Sequence, residues 1–329
     1  MINWLEKLLL DQNALNLLKG KSSILAFSHG VDSTALFHLL ANQNIDFDLA
    51  FVNYNTRKES ILEENEAINL AKKFNKKIFV KKVNLNLEKS SNFEKKARDL
   101  RYEFFNEIFS KFDYRFLITA HNLNDLFEWF LMRISKGAGL CNALGMSIYD
   151  KKENLNIIRP LLYTSRDEIL NFLNKNHLKY FIDSSNKNTK FQRNFIRENF
   201  SNEFVRLYKK GLENSLKFMQ KDKEILQDGL IYENLEFFVI KNQPNSINLI
   251  DKILKKFGIV MSQKQRNEAI KDTVISGKIT ISYKDDKIYI APYKKEIMTK
   301  KFKEICRVKK VPKLIRGYIF THQNLLKYF

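Results

Sequence analysis

Only two cysteines occur in 329 residues, Cys141 and Cys306, far apart and with no CxxC pair. That scarcity excludes a disulfide framework and a zinc ribbon, and leaves two buried free thiols as the expectation. Four prolines and ten glycines provide no Pro/Gly-rich linker to mark a domain boundary. No apolar run approaches the ~18 residues that a membrane span needs. The N-terminus lacks the basic, apolar, small-residue order of a secretory signal, so a cytoplasmic address is expected, with no membrane and no stable protein partner. No internal repeat is present.

Hydrophobic residues are plentiful by contrast: 44% of the chain, with 27 Phe. That is ample for packed cores, and the length suits two domains or three small ones. The formal net charge is +20, unevenly spread. Residues 201–329 hold 27 Lys and Arg against 14 Asp and Glu, and the last 39 residues hold 11 against 2. Such an excess suits a polyanion, because each neutralised phosphate releases condensed counterions, although a Lys- and Asn-rich composition alone also makes a chain basic.

Ser28-His29-Gly30-Val31-Asp32-Ser33 is the most informative stretch. It follows the apolar run 24–27 and precedes the helical pattern 34–40. A strand, a short hydroxylated loop and a helix N-terminus together make an anion site, since the first helical N–H groups lack intrahelical partners and carry partial positive charge. Ser28 and Ser33 can donate to phosphate oxygens, Gly30 allows close backbone approach, and Asp32 can hold magnesium on those oxygens. Gly20-Lys21-Ser22 mimics the end of a Walker A loop, but Leu15 stands where the first glycine belongs and the tripeptide precedes the strand. It reads as a turn after an opening amphipathic helix bearing Leu5, Leu8 and Leu9.

Strands are expected at 24–27, 48–53, 77–81, 114–119 and 156–160, with helices at 60–74, 92–112 and 125–135 between them. This βα alternation implies an α/β fold with a parallel, doubly wound sheet and a ligand at the carboxyl ends of its strands. Residues 166–230 read as helical only, including 166–176 and a long segment from 191 to about 227. Weak strands return at 236–240, 278–282 and 287–290, with a hairpin turn at Asp285-Asp286. The expected division is a nucleotide-binding domain over 1–205 and a basic helical and small α+β region over 206–329, with a sub-boundary near 235.

The loop resembles the SGGxDS signature of the PP-loop ATP pyrophosphatases at five of six positions, His29 standing where that family usually has glycine. Val52-Asn53-Tyr54-Asn55-Thr56-Arg57 with Ser60 and Glu63 resembles the VNHGLR…S…E stretch of one branch, the tRNA(Ile)-lysidine synthases, with Tyr54 and Asn55 replacing His and Gly. Asn92, Glu94, Ala97, Arg98, Arg101 and Tyr102 resemble its NxExxAR…RY helix, and Thr119-Ala120-His121 with Asp125 and Glu128 its TAHHxxDxxET segment. Arg133, Gly137, Gly139, Gly145 and Arg159-Pro160-Leu161-Leu162 follow in order, and Asp183-Ser184-Ser185-Asn186 with Arg193, Asn194 and Arg197 resembles its DxSN…RNxIR close. The ordered set spans residues 24 to about 200 and continues faintly through Gly258 and Arg316.

The resemblance implies an ATP- and Mg2+-dependent ligase acting on an isoleucine tRNA with a CAU anticodon and on L-lysine. Adenylation of the C2 oxygen of the wobble cytidine would release pyrophosphate, and a lysine amine would then displace AMP. It implies a nucleotide site of Ser28, His29, Gly30, Val31, Asp32, Ser33, Asn53 and His121, with magnesium on Asp32. Asp32, Asp125, Glu128 and Arg193 would be catalytic. Asp125 and Glu128, three apart on a helix, face one way and could hold lysine's ammonium groups, although such a pair is ordinarily a solvated cap. Arg193 and Arg197, four apart, could grip a carboxylate or phosphate, and Arg98 and Arg101 could face phosphates. His38, His177 and His322 read as structural, and the aromatics of the helical region as core rather than a base-stacking platform.

Two other readings compete. A PP-loop tRNA thiolase needs sulfur-carrying cysteines, commonly in CxxC pairs, and this chain has only Cys141 and Cys306. A non-catalytic tRNA binder with a decayed loop would explain His29, Tyr54 and Asn55 but not the retained Asp32, Asp125 and Glu128.

Overall fold

A computed structural model describes residues 8, 10–55, 59–83, 93–152, 154–182 and 192–329. Leu5, Leu9, Thr56, Arg57, Asn92, the Asp183-Ser184-Ser185-Asn186 motif and the side chain of Glu94 lie outside the described residues. The chain forms two compact units, Met1–Phe218 and Met219–Phe329.

The first unit begins with α1 (Gln12–Leu18), whose N-cap Asp11 accepts the Asn13 and Ala14 N–H groups at 2.9 and 3.1 Å. β1 (Ser23–Phe27), α2 (Val31–Asn42), β2 (Phe47–Asn53), α3 (Glu59–Lys73), β3 (Ile78–Lys82), α4 (Phe93–Lys111) and β4 (Phe116–Ile118) follow. Next come α5 (Leu123–Ile134), α6 (Leu140–Ala143), β5 (Tyr149–Lys152), β6 (Leu155–Ile158) and α7 (Arg166–Lys175). The sheet order is β3-β2-β1-β4-β6-β5, parallel throughout except β5, which pairs antiparallel with β6. Within this sheet the sequence did not reveal β5, because Tyr149–Lys152 carries no apolar alternation.

Alternation along β1 serves two cores. Leu25 and Phe27 join Leu36, Phe37 and Leu40 of α2 and Ile169, Phe172 and Leu173 of α7 on one face. Ile24 joins Phe104, Phe105 and Ile108 of α4 on the other. At roughly 1.5–3 kcal/mol for each large apolar side chain removed from water, both faces are strongly driven to be covered, which makes the sheet doubly wound. Neighbours on opposite sides of β1 follow it by opposite routes: β2 comes next in the chain, β4 much later. The crevice between the ends of β1 and β4 is therefore the topological switch point where such sheets bind ligands.

α8 (Gln192–Ile196) runs into a π-helical turn at Arg197–Ser201 and then into α9 (Asn202–Leu226), which bends at Tyr208 (φ −124°, ψ 23°). Its buried face carries Val205, Leu212 and Leu216, whereas Phe200, Phe204 and Tyr208 fall on another face and are exposed. This corrects the expectation that these aromatics are core: positions 200, 204 and 208 share one helical stripe, and Val205 starts the buried one.

The second unit is an antiparallel sheet of order β7-β8-β11-β10-β9, built from β7 (Leu230–Asn234), β8 (Phe237–Lys241), β9 (Thr273–Ile275), β10 (Ile279–Lys284) and β11 (Lys287–Pro292). Phe238 and Ile240 pack with α10 (Ser246–Lys256), near which α11 (Gln263–Glu268) follows in the chain. Phe237 and Val239 face the opposite core, with α12 (Lys300–Val308) and α13 (Arg316–Thr321). The hairpin expected at Asp285-Asp286 is present, with Lys284 opposite Lys287 and Asp285 at φ 53°. The unit is thus the basic α+β domain that the sequence implied.

Candidate active site at the switch point of the parallel sheet

The loop after β1 is held by its own hydroxyls. The Ser28 N–H donates to Ser33 Oγ at 3.2 Å, the two Oγ atoms lie 3.1 Å apart, and the Gly30 N–H approaches Ser28 Oγ at 3.4 Å. Gly30 caps α2 in extended backbone (φ −80°, ψ 175°) with no side chain over the helix N-terminus. A Cβ there would meet nothing closer than Ser28 Oγ at 3.4 Å and the Phe181 carbonyl at 3.9 Å. Glycine is thus not needed by the backbone; it leaves open the space in front of the N-terminal N–H groups, where an anion would sit.

His29 does need the conformation that its family counterpart suits, at φ 57°. Its ring turns inward, 3% exposed, between Phe27 (centroids 5.2 Å) and Phe181 (5.1 Å, edge-on), with Nδ1 3.4 Å from Thr34 Oγ1. Burial lowers its pKa, which disfavours the charged ring. The His29 carbonyl accepts the Phe181 N–H at 3.0 Å, tying the loop to the strand-like segment beyond α7. His29 therefore contributes backbone to the loop and packing to the core. Asn55, the other departure from glycine, likewise sits at φ 49°, which Asn tolerates.

Asp32 lies in the first turn of α2 and accepts a hydrogen bond from Asn122 Nδ2 at 3.0 Å. Burial first, and then the charge of Asp125, push its pKa up to about 6, against the opposing influence of Arg166, Asn122 and Arg197. Asn122 is the N-cap of α5 in a reciprocal capping box with Asp125: its Oδ1 accepts the Asp125 N–H at 3.0 Å, and Asp125 Oδ2 accepts the Asn122 N–H at 3.1 Å. Just before it, His121 Nδ1 lies 2.9 Å from Thr119 Oγ1, and burial lowers its pKa to about 4.

Asp125 and Glu128 do face one way, and the chain's own guanidinium groups meet them. Arg193 Nη2 donates to Asp125 Oδ1 at 2.5 Å and its Nε to Glu128 Oε2 at 2.8 Å. Arg197 donates from Nε to Glu128 Oε1 at 2.7 Å and from Nη2 to Oε2 at 3.1 Å, and lies 3.9 Å from Asp125. Glu128 is fully buried, a placement that needs this pairing. The Arg193 side chain is 40% exposed and the Arg197 side chain 13%, so the first is the outer jaw of the clamp and the second its fixed base.

Asn53 bonds within its own connection. Its Nδ2 donates to the Ser60 carbonyl (3.2 Å) and Glu64 Oε2 (2.7 Å), and its Oδ1 accepts the Asn55 N–H (2.8 Å), so it fastens the β2–α3 connection. Tyr54 donates to the Ala97 carbonyl at 2.9 Å, linking that connection to α4. Arg98 and Arg101 are exposed on α4, Arg98 lying over the Tyr102 ring at 5.2 Å. Gly145 is required by Trp129, whose indole would lie 2.0 Å from a Cβ there. His177 follows α7 in left-handed backbone, and His322 Nδ1 lies 3.0 Å from the Tyr318 carbonyl. Cys306 is buried and Cys141 half-buried, in separate units.

Sequence reasoning missed Asn122 and Arg166. The signal for Asn122 was present: an Asn before an apolar run with an acid three residues later is a capping pattern. Arg166 gave none; its backbone N–H donates to Asn124 Oδ1 at 3.0 Å, and its charge favours ionised Asp32.

Residues 5–204 match the PP-loop domain family. The chain is 46% identical to the tRNA(Ile)-lysidine synthase of Campylobacter jejuni (strain RM1221), over 94% of this chain and 95% of that one. It is 40% identical to that of Helicobacter pylori (strain ATCC 700392 / 26695), over 92% and 91%. Among solved structures, a U34-tRNA thiolase from Methanococcus maripaludis aligns with a TM-score of 0.53 at 18% identity, covering 65% of this chain and 75% of that one, a likeness of fold alone. By its PP-loop domain and its near full-length identity to these relatives, the chain belongs to the tRNA(Ile)-lysidine synthase family.

Proposed function

We propose that the chain ligates L-lysine to C2 of the wobble cytidine in the CAU anticodon of isoleucine tRNA, through an adenylated cytidine, releasing pyrophosphate and AMP. The observation that carries the residue assignment is the Asn122–Asp32 hydrogen bond, which joins the anion-binding loop to the acid–guanidinium cluster. One end of the site suits a triphosphate and the other a dibasic amino acid.

In the first step the cytosine O2 attacks the ATP α-phosphorus and the bond to the pyrophosphate oxygen breaks. Ser28, Ser33 and the free N–H groups of α2 receive the leaving charge, with Gly30 leaving room for it. A cation fits beside Asp32: the carboxylate is buried with Asp125 close by, and burial first and then that neighbouring negative charge lift its pKa. Among the described residues no group of three or more His, Cys, Asp and Glu could hold a metal, so a magnesium ion would be held by Asp32 and by phosphate oxygens. When bound, magnesium supplies charge neutralisation on the leaving group.

In the second step a lysine amine, having lost a proton, forms the C2–N bond while the C2–O bond to AMP breaks. Asp125 keeps some exposure and can accept an ammonium group, whereas Glu128, enclosed by both arginines, orients them. Arg193, the outer jaw, is placed to turn from Asp125 to the substrate carboxylate or the AMP phosphate. Neutral His121 lies beside this step without adding charge.

The absence of a CxxC pair disfavours sulfur transfer. The two-step order is tested by incubating protein, α-labelled ATP and tRNA without lysine. The label should become attached to tRNA and leave as AMP when lysine is added; AMP formation that requires lysine but no tRNA would oppose the order.

A further inference from the structure

We infer that the exposed aromatic face formed by Phe195, Phe200, Phe204 and Tyr208 is a stacking platform for the unpaired anticodon-loop bases that flank the reacting cytidine. The inference rests on the tRNA-modifying reading above and adds how the single strand is held.

The four rings are 47%, 53%, 42% and 57% exposed, and Leu207 beside them is 59% exposed. They are not isolated residues on a solvated helix. Phe195 and Phe200 meet at 6.0 Å between centroids, and Phe204 and Tyr208 at 5.1 Å. Exposed rings gathered in pairs along one segment mark a binding face.

The platform borders the helix that carries the two carboxylates. Phe204 lies 5.0 Å from Phe127, which α5 carries between Asp125 and Glu128. The segment that sends Arg193 and Arg197 inward to those carboxylates sends Phe195 and Phe200 outward, and its π-helical turn at Arg197–Ser201 accommodates both demands. Such turns recur at functional sites. A nucleotide adjacent to the reacting one is tethered to it by a single phosphodiester, so its base must rest on surface bordering this cluster.

The chemistry of the face selects RNA over a protein partner. The same helix is basic: Arg206, Lys209 and Lys210 lie on α9 with Phe204 and Tyr208; Arg206 pairs with Glu203 and Lys209 with Glu168, while the Lys210 side chain, 3.9 Å from Glu213, is 78% exposed. Rings that accept any base and cations that neutralise phosphates are how single strands are held, and sequence-specific RNA recognition targets splayed loop bases.

The test uses the full chain carrying Phe204→Ala and Tyr208→Ala together, Tyr208→Ala alone, and the ring-retaining pair Phe204→Tyr and Tyr208→Phe. Direct tRNA binding, the KM for tRNA, ATP and lysine, and thermal midpoints are measured for each. Stacking is worth about 1–3 kcal/mol per base, so the double alanine variant should bind tRNA at least about tenfold more weakly. Its KM for tRNA should rise with those for ATP and lysine unchanged, and the ring-retaining variants should match the parent. Because Phe204 also touches Phe127, Tyr208→Ala alone, with an unchanged thermal midpoint, must show part of the loss. Unaltered tRNA binding in the alanine variants overturns the inference; if a parental dimer then dissociates, the face joins two copies instead. Weakened tRNA binding in a protein that incorporates no lysine would leave the platform standing and the ligase reading refuted.

Discussion

Asn122 Nδ2 donates to Asp32 Oδ1 at 3.0 Å across 90 positions of sequence, so the cap of one helix sets the orientation of the carboxylate that opens another. Asn122→Ala removes the cap and this hydrogen bond together. A stability loss of about 1 kcal/mol is expected from the cap, with a fall in kcat well beyond it. Asn122→Asp keeps a capping oxygen but sets a second negative charge against Asp32; it should fold like the parent and still lose activity. Urea unfolding beside steady-state rates separates the two effects.

The clamp predicts an asymmetry between its arginines. Arg197→Ala leaves buried Glu128 without two of its three hydrogen bonds and should destabilise by about 3–5 kcal/mol. Arg193→Ala leaves Arg197 in place on Glu128, so stability should fall less while the KM for lysine rises. Equal destabilisation by the two variants would contradict the assignment of an outer jaw and a fixed base.

Asp32 binds its proton more tightly in the folded than in the unfolded chain, so its ionisation costs stability as pH rises from about 4 to about 6, and the cost is fully present above 6. In chelator-treated protein, Asp32→Asn should therefore be more stable than the parent at pH 7.5, by about 1–3 kcal/mol, and gain nothing at pH 4. His121 acts in the opposite sense: its pKa, lowered to about 4, makes the folded state gain stability as pH rises from about 4 towards 6.5. The parent's profile combines both, so the difference between parent and Asp32→Asn isolates the carboxylate. A difference independent of pH would refute the shift.

His29→Gly frees a left-handed backbone position and empties a site packed between Phe27 and Phe181. Left-handed relief is worth about 1–2 kcal/mol, and the lost ring packing offsets it. Activity should stay at or above the parental level, because the side chain faces the core; loss of ATP binding, measured by calorimetry, would show a direct role.

These features were unequally legible in sequence. Strand and helix alternation revealed the sheet, because β1 and β2 are short apolar runs separated by helical segments. The loop's place after β1 fixed where an anion would sit. The partnership of Arg193 and Arg197 with Asp125 and Glu128 was not legible: spacing says which side chains share a helix face, and not which face another helix presents to it. Exposure of Phe200, Phe204 and Tyr208 was hidden for a related reason, since aromatic content does not say which stripe of α9 is covered. Asn53 entered the nucleotide site through the resemblance alone, and no spacing in the sequence says that its Nδ2 donates to the Ser60 carbonyl and Glu64.

The most direct test is incorporation of labelled lysine into isoleucine tRNA bearing a CAU anticodon, with ATP and magnesium. Incorporation that requires ATP, and that disappears in the Asp32→Ala variant while tRNA binding persists, is the predicted result. Intact tRNA binding with no lysine incorporated by the parental chain would contradict it and favour a binder with an inactive loop.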